Sequence, residues 1–280
     1  MSAGFGARLA ASVAARGPLC AGIDPHPGLI ESWGLPLDVS GLERFALNAA
    51  EVLGSTASIV KPQSAFFEAF GPGGVAVLER VIDTVHDAGA LVLLDVKRGD
   101  IGSTMAAYTA AYVAEKAAFT ADAATVSPYL GFGSLDAAVA SAREAGNGLF
   151  VLARTSNPEA HALQRARLED GRTVAQSVVD AAAEHNAGME PHGDVGVVVG
   201  ATVAPGEVDL TRLNGPVLAP GFGAQGATVA DLHALFGPGL PGVLPASSRD
   251  LLRHGPDSGA LRRAAQRVAD QLAGTRESGH

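Results

Sequence analysis

LVLLDVKRGDIGST, residues 91–104, is the stretch that decides the fold of this chain. It begins as an aliphatic run suited to the inside of a protein and then carries four charges, at positions 95, 97, 98 and 100. An apolar run without polar alternation is typical of a parallel strand that is covered on both faces. Charges directly at its end indicate that the carboxyl end of this strand opens on a functional site.

The same pattern repeats along the chain. Short apolar runs alternate with helical spacing, as at Val75, Leu78, Ile82 and Val85. Parallel strands need crossover connections, usually helices, and eight such units in about 260 residues match a closed (β/α)8 TIM barrel. No linker interrupts the series, so we predict a single α/β domain over residues 1–280, with its core at about 18–273. The predicted strands are 19–24, 57–62, 91–97, 123–129, 148–155, 195–201, 216–221 and 242–247.

Two segments lie outside the repeat. Phe5, Leu9 and Val13 recur every four residues, which predicts an amphipathic N-terminal helix, capped by Ser2, that packs on the barrel. Segment 156–172 is a longer polar connection after the fifth strand, and its pattern does not assign it a structure.

The composition excludes several classes of protein. The chain has 280 residues, 47% of them hydrophobic, and a formal net charge of −9. Binding to nucleic acid or to an anionic membrane needs a basic face, so we expect neither partner, although a small anionic ligand is compatible. No uncharged apolar stretch of roughly 18 residues occurs, so we expect no transmembrane helix. The single Cys20, in the apolar segment PLCAGI, is expected to be buried and fits a cytoplasmic location.

Charged residues gather where the predicted strands end, which is where a (β/α)8 barrel builds its active site. Asp95 and Lys97 are two residues apart on a strand and should therefore point to the same side. Buried charges are costly unless paired, so these two and Lys61 should form a compensating set. That set is either catalytic or a structural ion pair that locks the barrel mouth.

Asp100 lies beyond the third strand, where its position alone favours an N-cap for a helix over about 101–118. Near the end of the chain, the glycine-rich loop 219–228 and the segment SSR at 247–249 suit an anion site. Backbone N–H groups and the Arg249 guanidinium could hold a phosphate there. The eight histidines show no ligand-pair spacing, so we expect no metal.

The segment DVKRGDIGST resembles the orotidine 5′-phosphate decarboxylases, whose signature after the third strand is D-x-K-x-x-D-I-x-x-T. The match consists of Asp95, Lys97, Asp100, Ile101 and Thr104. The resemblance spans about residues 18–255 and is to the longer bacterial branch of that family. Its further motifs are GIDP at 22–25, VKPQ at 60–63, APGFGAQG at 219–226 and SSRD at 247–250.

This resemblance implies decarboxylation of orotidine 5′-phosphate to uridine 5′-phosphate and CO₂ without a cofactor, with Lys97 donating the proton to C6. It implies that Lys61, Asp95, Lys97 and Asp100 form the charged network. In a homodimer, Asp100, Ile101 and Thr104 would reach into the site of the second subunit. The resemblance also implies that Asp24 and Lys61 contact the ribose hydroxyls and that Arg249 contacts the phosphate. Pro220 would line the base pocket. Gln225, together with either Ser156 or Thr155, would contact the pyrimidine and the closing lid.

Two alternatives stay open. Metal-dependent sugar-phosphate decarboxylases or lyases of the same superfamily share D-x-K on the third strand. They differ around PGFGAQG and SSRD, and they have an acidic residue near the second strand, where this chain has Lys61-Pro62-Gln63. The other alternative is a non-catalytic barrel that only binds a nucleotide or a partner, in which the charges serve structure.

Overall fold

The computed structural model describes residues 3–223, 226–238 and 242–277, with the side chains of the last helix described through residue 273. Eight parallel strands pair in chain order and close into a barrel, which confirms the predicted (β/α)8 fold. The strands are β1 Cys20–Ile23, β2 Ile59–Pro62, β3 Leu91–Arg98, β4 Ala123–Val126, β5 Gly148–Arg154, β6 Val195–Val199, β7 Val217–Pro220 and β8 Val243–Ser247.

Helices surround the barrel and bury their apolar faces against it. In the helix after β2, Leu78, Ile82 and Val85 are buried at the predicted helical spacing. No helix in the described part of the chain is long and apolar enough to cross a membrane. The helices are α1 Phe5–Arg16, α2 Pro27–Ser32, α3 Val39–Gly54, α4 Ser64–Glu68, α5 Gly71–Asp87, α6 Gly102–Tyr112, α7 Asp136–Glu144, α8 His161–Gln164, α9 Val174–Asn186, α10 Val229–Phe236, α11 Arg249–Leu252 and α12 Ser258–Glu277.

The N-terminal helix α1 closes the amino-terminal end of the barrel. Phe5 and Leu9 are buried in the same cluster as the inward-facing strand residues, and the Phe5 ring meets the Phe150 ring edge-on at 5.9 Å between centroids. The Gly6 N–H donates to the Asp194 carboxylate just before β6, at 2.9 Å. The predicted amphipathic helix is confirmed, but its N-cap is Gly4, whereas Ser2 lies outside the described residues.

Three connections differ from the expected strand–helix rhythm. Residues 200–216, between β6 and β7, form turns and no helix, because glycines and prolines interrupt this stretch. The helix after β3 ends at Tyr112 rather than near residue 118, and the chain then turns back through an Ala121 N–H bond to the Tyr112 carbonyl. The unassigned connection 156–172 contains a 3₁₀ turn, Pro158–Ala160, and the short helix α8.

Candidate active site

A cavity of about 520 Å³ opens at the carboxyl ends of the strands. Most of the polar residues that the sequence placed at strand ends line it. Its depth and its mixed apolar and polar wall are typical of a small-molecule site. The lining residues that were predicted as site residues are Asp24, Lys61, Asp95, Lys97, Ser156, Pro220 and Arg249.

Asp95 is the centre of the charged cluster in this cavity. Its Oδ2 accepts a hydrogen bond from Lys61 Nζ at 2.9 Å, and its Oδ1 accepts one from Lys97 Nζ. The Lys61 ammonium also lies 3.9 Å from Asp24 Oδ1. The charges therefore alternate in sign from Asp24 through Lys61 and Asp95 to Lys97, as paired charges in a low-dielectric site must.

The two lysines differ in their exposure to solvent. The Lys61 and Asp95 side chains are only 8% and 7% exposed, whereas the Lys97 side chain is 45% exposed. Asp95 and Lys97 share one side, as the sequence predicts, but only Asp95 is removed from water together with Lys61. The reason is that the strand does not continue in a regular way between these two residues.

The backbone of β3 is distorted at Lys97. Lys97 has a φ of 47°, in the left-handed region, and the pairing of β3 with β4 shifts register between Leu94 and Arg98. A left-handed non-glycine residue costs on the order of 1 kcal/mol and persists only where its surroundings enforce it. The distortion turns the Lys97 ammonium back onto Asp95 at the open side of the cavity.

Burial and charge act in opposite directions on this cluster. Burial disfavours the charged form of Lys61, but the Asp95 and Asp24 carboxylates outweigh it and raise the pKa of the ammonium above its ordinary value. Burial likewise favours the neutral form of Asp95, but Lys61 and Lys97 hold the pKa of its carboxyl well below the usual range. Lys61 and Asp95 are therefore both charged at neutral pH.

Cys20 lies beneath the cluster on β1. It is fully buried, as predicted, and burial raises the pKa of its thiol to about 12. Its thiolate is therefore scarce at neutral pH, which argues against a nucleophilic role.

The end of the cavity near β8 offers groups for an anion. Arg249 begins helix α11 and is exposed at the rim, where its guanidinium has no ion pair among the described residues. Ser248 Oγ and Asp24 Oδ1 are buried atoms without a hydrogen-bond partner in the described part of the chain. Such atoms are costly unless a ligand or solvent reaches them.

Gln225, predicted to contact the pyrimidine and lid, lies outside the described residues.

Thr155 and Ser156, the two hydroxyl residues that the sequence offered, both line the cavity. The Thr155 hydroxyl is held by Asn157 Oδ1 at 2.7 Å and by the Gln164 side chain. That hydroxyl is therefore already engaged within its own loop.

Asp100, Ile101 and Thr104 do not line the cavity of their own chain. Asp100 is not the predicted N-cap either: helix α6 begins at Gly102 with Ile101 as N-cap and no side-chain cap. The Asp100 carboxylate instead accepts the adjacent Ile101 N–H at 2.8 Å, one residue too early for capping. Ile101 is 61% exposed, and Thr104 is exposed as well.

Sequence reasoning missed two polar residues beside the cavity and one behind its wall. Thr125 on β4 and Gln63 after β2 line the cavity, and Gln63 Oε1 lies 3.5 Å from both lysine Nζ atoms. Arg154 is buried behind Thr155 and pairs with Glu207 at 2.7 Å. A signal existed for Thr125, because it lies two residues after the inward-facing Ala123 and so shares its face.

The described residues contain no group of three or more His, Cys, Asp or Glu side chains placed to hold a metal ion. The charged groups that pair with one another in the cavity are instead the two carboxylates of Asp24 and Asp95 and the two ammonium groups of Lys61 and Lys97. What this arrangement can supply directly is a fixed electrostatic field and a proton from Lys97.

Comparison with known proteins agrees with this geometry. Residues 17–240 match the model of the orotidine 5′-phosphate decarboxylase / HUMPS family. The orotidine 5′-phosphate decarboxylase of Salinispora arenicola is 60% identical over 264 residues, which cover 94% of this chain and 95% of the relative. That of Streptomyces coelicolor is 54% identical over 268 residues, 96% of each chain.

Solved structures give the same result. A crystal structure from Streptomyces avermitilis superposes with a TM-score of 0.95 at 54% identity, covering 99% of this chain and 97% of the other. The OMP decarboxylase of Leishmania donovani superposes with a TM-score of 0.73 at 31% identity, covering 98% and 99%. The chain therefore belongs to the orotidine 5′-phosphate decarboxylase / HUMPS family.

Proposed function

We propose that this chain is a carboxy-lyase that converts orotidine 5′-phosphate to uridine 5′-phosphate and CO₂ without a cofactor, the last step of de novo pyrimidine synthesis. The observation that carries the proposal is the alternating array of Asp24, Lys61, Asp95 and Lys97 in the cavity. The relatives that share 54–60% of its sequence carry the decarboxylase name.

The cavity suits a nucleotide in one orientation. Arg249 and Ser248 at the β8 end would hold the phosphate, since a guanidinium and a hydroxyl both donate to phosphate oxygens. Asp24 and Lys61 would contact the ribose hydroxyls. Pro220 and Ser156 on the wall formed by β5 and β7 would contact the pyrimidine. In this orientation C6 of the base would lie over the Asp95–Lys97 pair.

The reaction then needs little more than electrostatics. The bond from C6 to the carboxylate carbon breaks, CO₂ leaves, and the electron pair stays on C6 in the plane of the ring, where the π-system cannot delocalise it. The Lys97 ammonium, held by Asp95, stabilises this charge and donates a proton to C6. The neutral amine then regains a proton from water, which the 45% exposure of its side chain permits.

We also propose that the active form is a homodimer with shared sites. The loops after β3 and β4 lie side by side, since the Ser127 N–H donates to the Arg98 carbonyl at 2.7 Å. They carry the exposed apolar residues Ile101, Tyr129 and Leu130, which are 61%, 75% and 51% exposed. Exposed apolar groups of this size favour burial against another chain. A second copy would bring Asp100 to the cavity of the first.

A mixing experiment tests the shared site. Lys97→Ala and Asp100→Ala each remove one side of it, so each pure variant should be nearly inactive. When equal amounts of the two variants are mixed and exchange subunits, half of the dimers contain one chain of each kind. In such a mixed dimer, one of the two sites combines an intact Lys97 with an intact Asp100. Roughly a quarter of wild-type activity should therefore return. If no activity returns although mixed dimers form, Asp100 acts within its own chain.

A turnover assay tests the function itself. Loss of orotidine 5′-phosphate absorbance should proceed equally with and without EDTA, should be abolished by Lys97→Ala, and should survive Lys116→Ala. Lys116 is the matched control because it is an exposed lysine outside the cavity. Turnover that EDTA abolishes would favour the metal-dependent sugar-phosphate relatives. No turnover by the wild type would favour a barrel that only binds nucleotide.

A further inference from the structure

Thr125 contacts both members of the Asp95–Lys97 pair. It lies on β4, is 1% exposed, and lines the cavity beside Asp95 and Lys97. Its Oγ1 donates to Asp95 Oδ1 at 2.8 Å. The same oxygen accepts the backbone N–H groups of Val96 at 3.0 Å and Lys97 at 2.9 Å.

These three bonds use the full capacity of a hydroxyl, which has one donor and two acceptor positions. They also fall where β3 departs from regular pairing, between Leu94 and Arg98. The N–H groups of Val96 and Lys97 are thus satisfied by a side chain of the neighbouring strand at the point of the register shift. The threonine hydroxyl therefore replaces the backbone carbonyls that would accept these two N–H groups in a regular β3–β4 pairing.

We propose that Thr125 is a positioning residue for the proton donor: its hydroxyl holds the left-handed turn at Lys97 and orients the Asp95 carboxylate onto the Lys97 ammonium. This proposal rests on the proposed function, because it matters for catalysis only if Lys97 protonates C6. The hydroxyl acts on both members of the pair, on Asp95 through its carboxylate and on Lys97 through its backbone.

Loss of the hydroxyl has a defined consequence. In Thr125→Val, a residue of the same shape leaves two buried N–H groups without their acceptor, and the Asp95 carboxylate loses a donor. The left-handed Lys97 can then relax toward regular strand geometry, which moves its ammonium away from Asp95. Thr125 lies on β4, across the barrel from the β8 end that is proposed to hold the phosphate, so substrate binding should change little.

The test compares three variants. Thr125→Val should lower kcat by roughly 100-fold, the cost of displacing a catalytic group by about 1 Å, with KM within about 3-fold of wild type. Thr125→Ser keeps the hydroxyl and should stay within about 5-fold of wild-type kcat. Thr109→Val is the matched control, because it removes a buried hydroxyl whose hydrogen bond, to the Met105 carbonyl, lies within helix α6. Its kcat should be unchanged.

A second measurement does not depend on turnover. Hydrogen exchange of the peptide that contains Val96 and Lys97 should be faster in Thr125→Val than in wild type or Thr125→Ser, since those two amides lose their acceptor. If the wild type does not turn over orotidine 5′-phosphate, the proposed function fails, and the exchange result still decides whether the hydroxyl holds this backbone. A Thr125→Val enzyme with wild-type kcat, or Val and Ser variants impaired alike, would overturn the proposal.

Discussion

Replacing Asp95 by asparagine removes the negative charge that lies between two ammonium groups. Unit charges 2.9 Å apart attract by roughly 6 kcal/mol at an effective dielectric constant of about 20. Desolvation of Asp95 offsets part of this attraction, and Asp24 at 3.9 Å still compensates Lys61 in the variant. We therefore expect Asp95→Asn to lower the free energy of unfolding by about 3 kcal/mol at pH 7, the low end for breaking a buried pair.

The loss should depend on pH in a defined direction. The folded pKa of Asp95 lies below its unfolded value, so its contribution is complete above the unfolded pKa of about 3.9 and is lost as the pH falls through the folded pKa. The difference between wild type and Asp95→Asn should therefore stay constant from about pH 5 to pH 8 and shrink below about pH 4.

Urea unfolding from pH 3 to pH 8 measures this difference, at a fixed chain concentration because the stability of the proposed dimer would vary with concentration. The matched control is Asp83→Asn, an exposed aspartate on helix α5, which should change stability by no more than about 0.5 kcal/mol. An Asp95→Asn variant as stable as wild type at pH 7 would refute the reasoning, since it would mean that the surrounding fold, rather than the opposite charges, holds Lys61.

Three further predictions concern residues away from the reacting groups. Phe5→Ala should lower the free energy of unfolding by about 4 kcal/mol, because it leaves a cavity where the Phe5 ring packs at the amino-terminal end of the barrel. Phe5→Leu should lower it by less than half as much in the same urea titration. Equal losses for the two variants would contradict the packing role. Arg154→Met should lower the free energy of unfolding by about 3 kcal/mol, because it leaves Glu207 without its partner. Arg154→Lys should recover only part of this loss, since lysine lacks the planar guanidinium group. A loss under about 1 kcal/mol for Arg154→Met in thermal or urea unfolding would count against the pair. Cys20 in the native protein should resist alkylation by iodoacetamide at pH 8 and react only on unfolding, because burial raises the pKa of its thiol to about 12. Mass spectrometry measures the extent of labelling. Rapid labelling of the folded chain would show instead that the thiol is accessible.

Much of the site could be predicted because strand ends are visible in the sequence. In a barrel of parallel strands, the carboxyl ends of all strands lie at the same opening, so the end of an apolar run locates Asp24, Lys61 and Asp95 without knowledge of their partners. The resemblance then supplied Pro220, whose apolar side chain has no such signal.

The remainder depends on contacts between strands. Alternation along β3 assumes a regular strand, and the left-handed turn at Lys97 is enforced by a hydroxyl on β4, so neither segment alone reveals it. The position of Asp100 was misread for a related reason. Capping depends on the backbone angle at which a helix begins, and here α6 begins two residues later than Asp100. A role in a second subunit is a property of two chains, which one chain's pattern cannot display.

The central claim is that Lys97 lies beside C6 of a bound pyrimidine nucleotide whose phosphate is held by Arg249. A crystal structure with a uridine 5′-monophosphate that carries a polar substituent at C6 tests it most directly. We predict Lys97 Nζ within about 3.2 Å of that substituent, the phosphate on Arg249, and Asp100 contributed by the second chain. A nucleotide whose C6 faces away from Lys97, or whose phosphate lies in the Asp95–Lys97 cluster, would contradict the account.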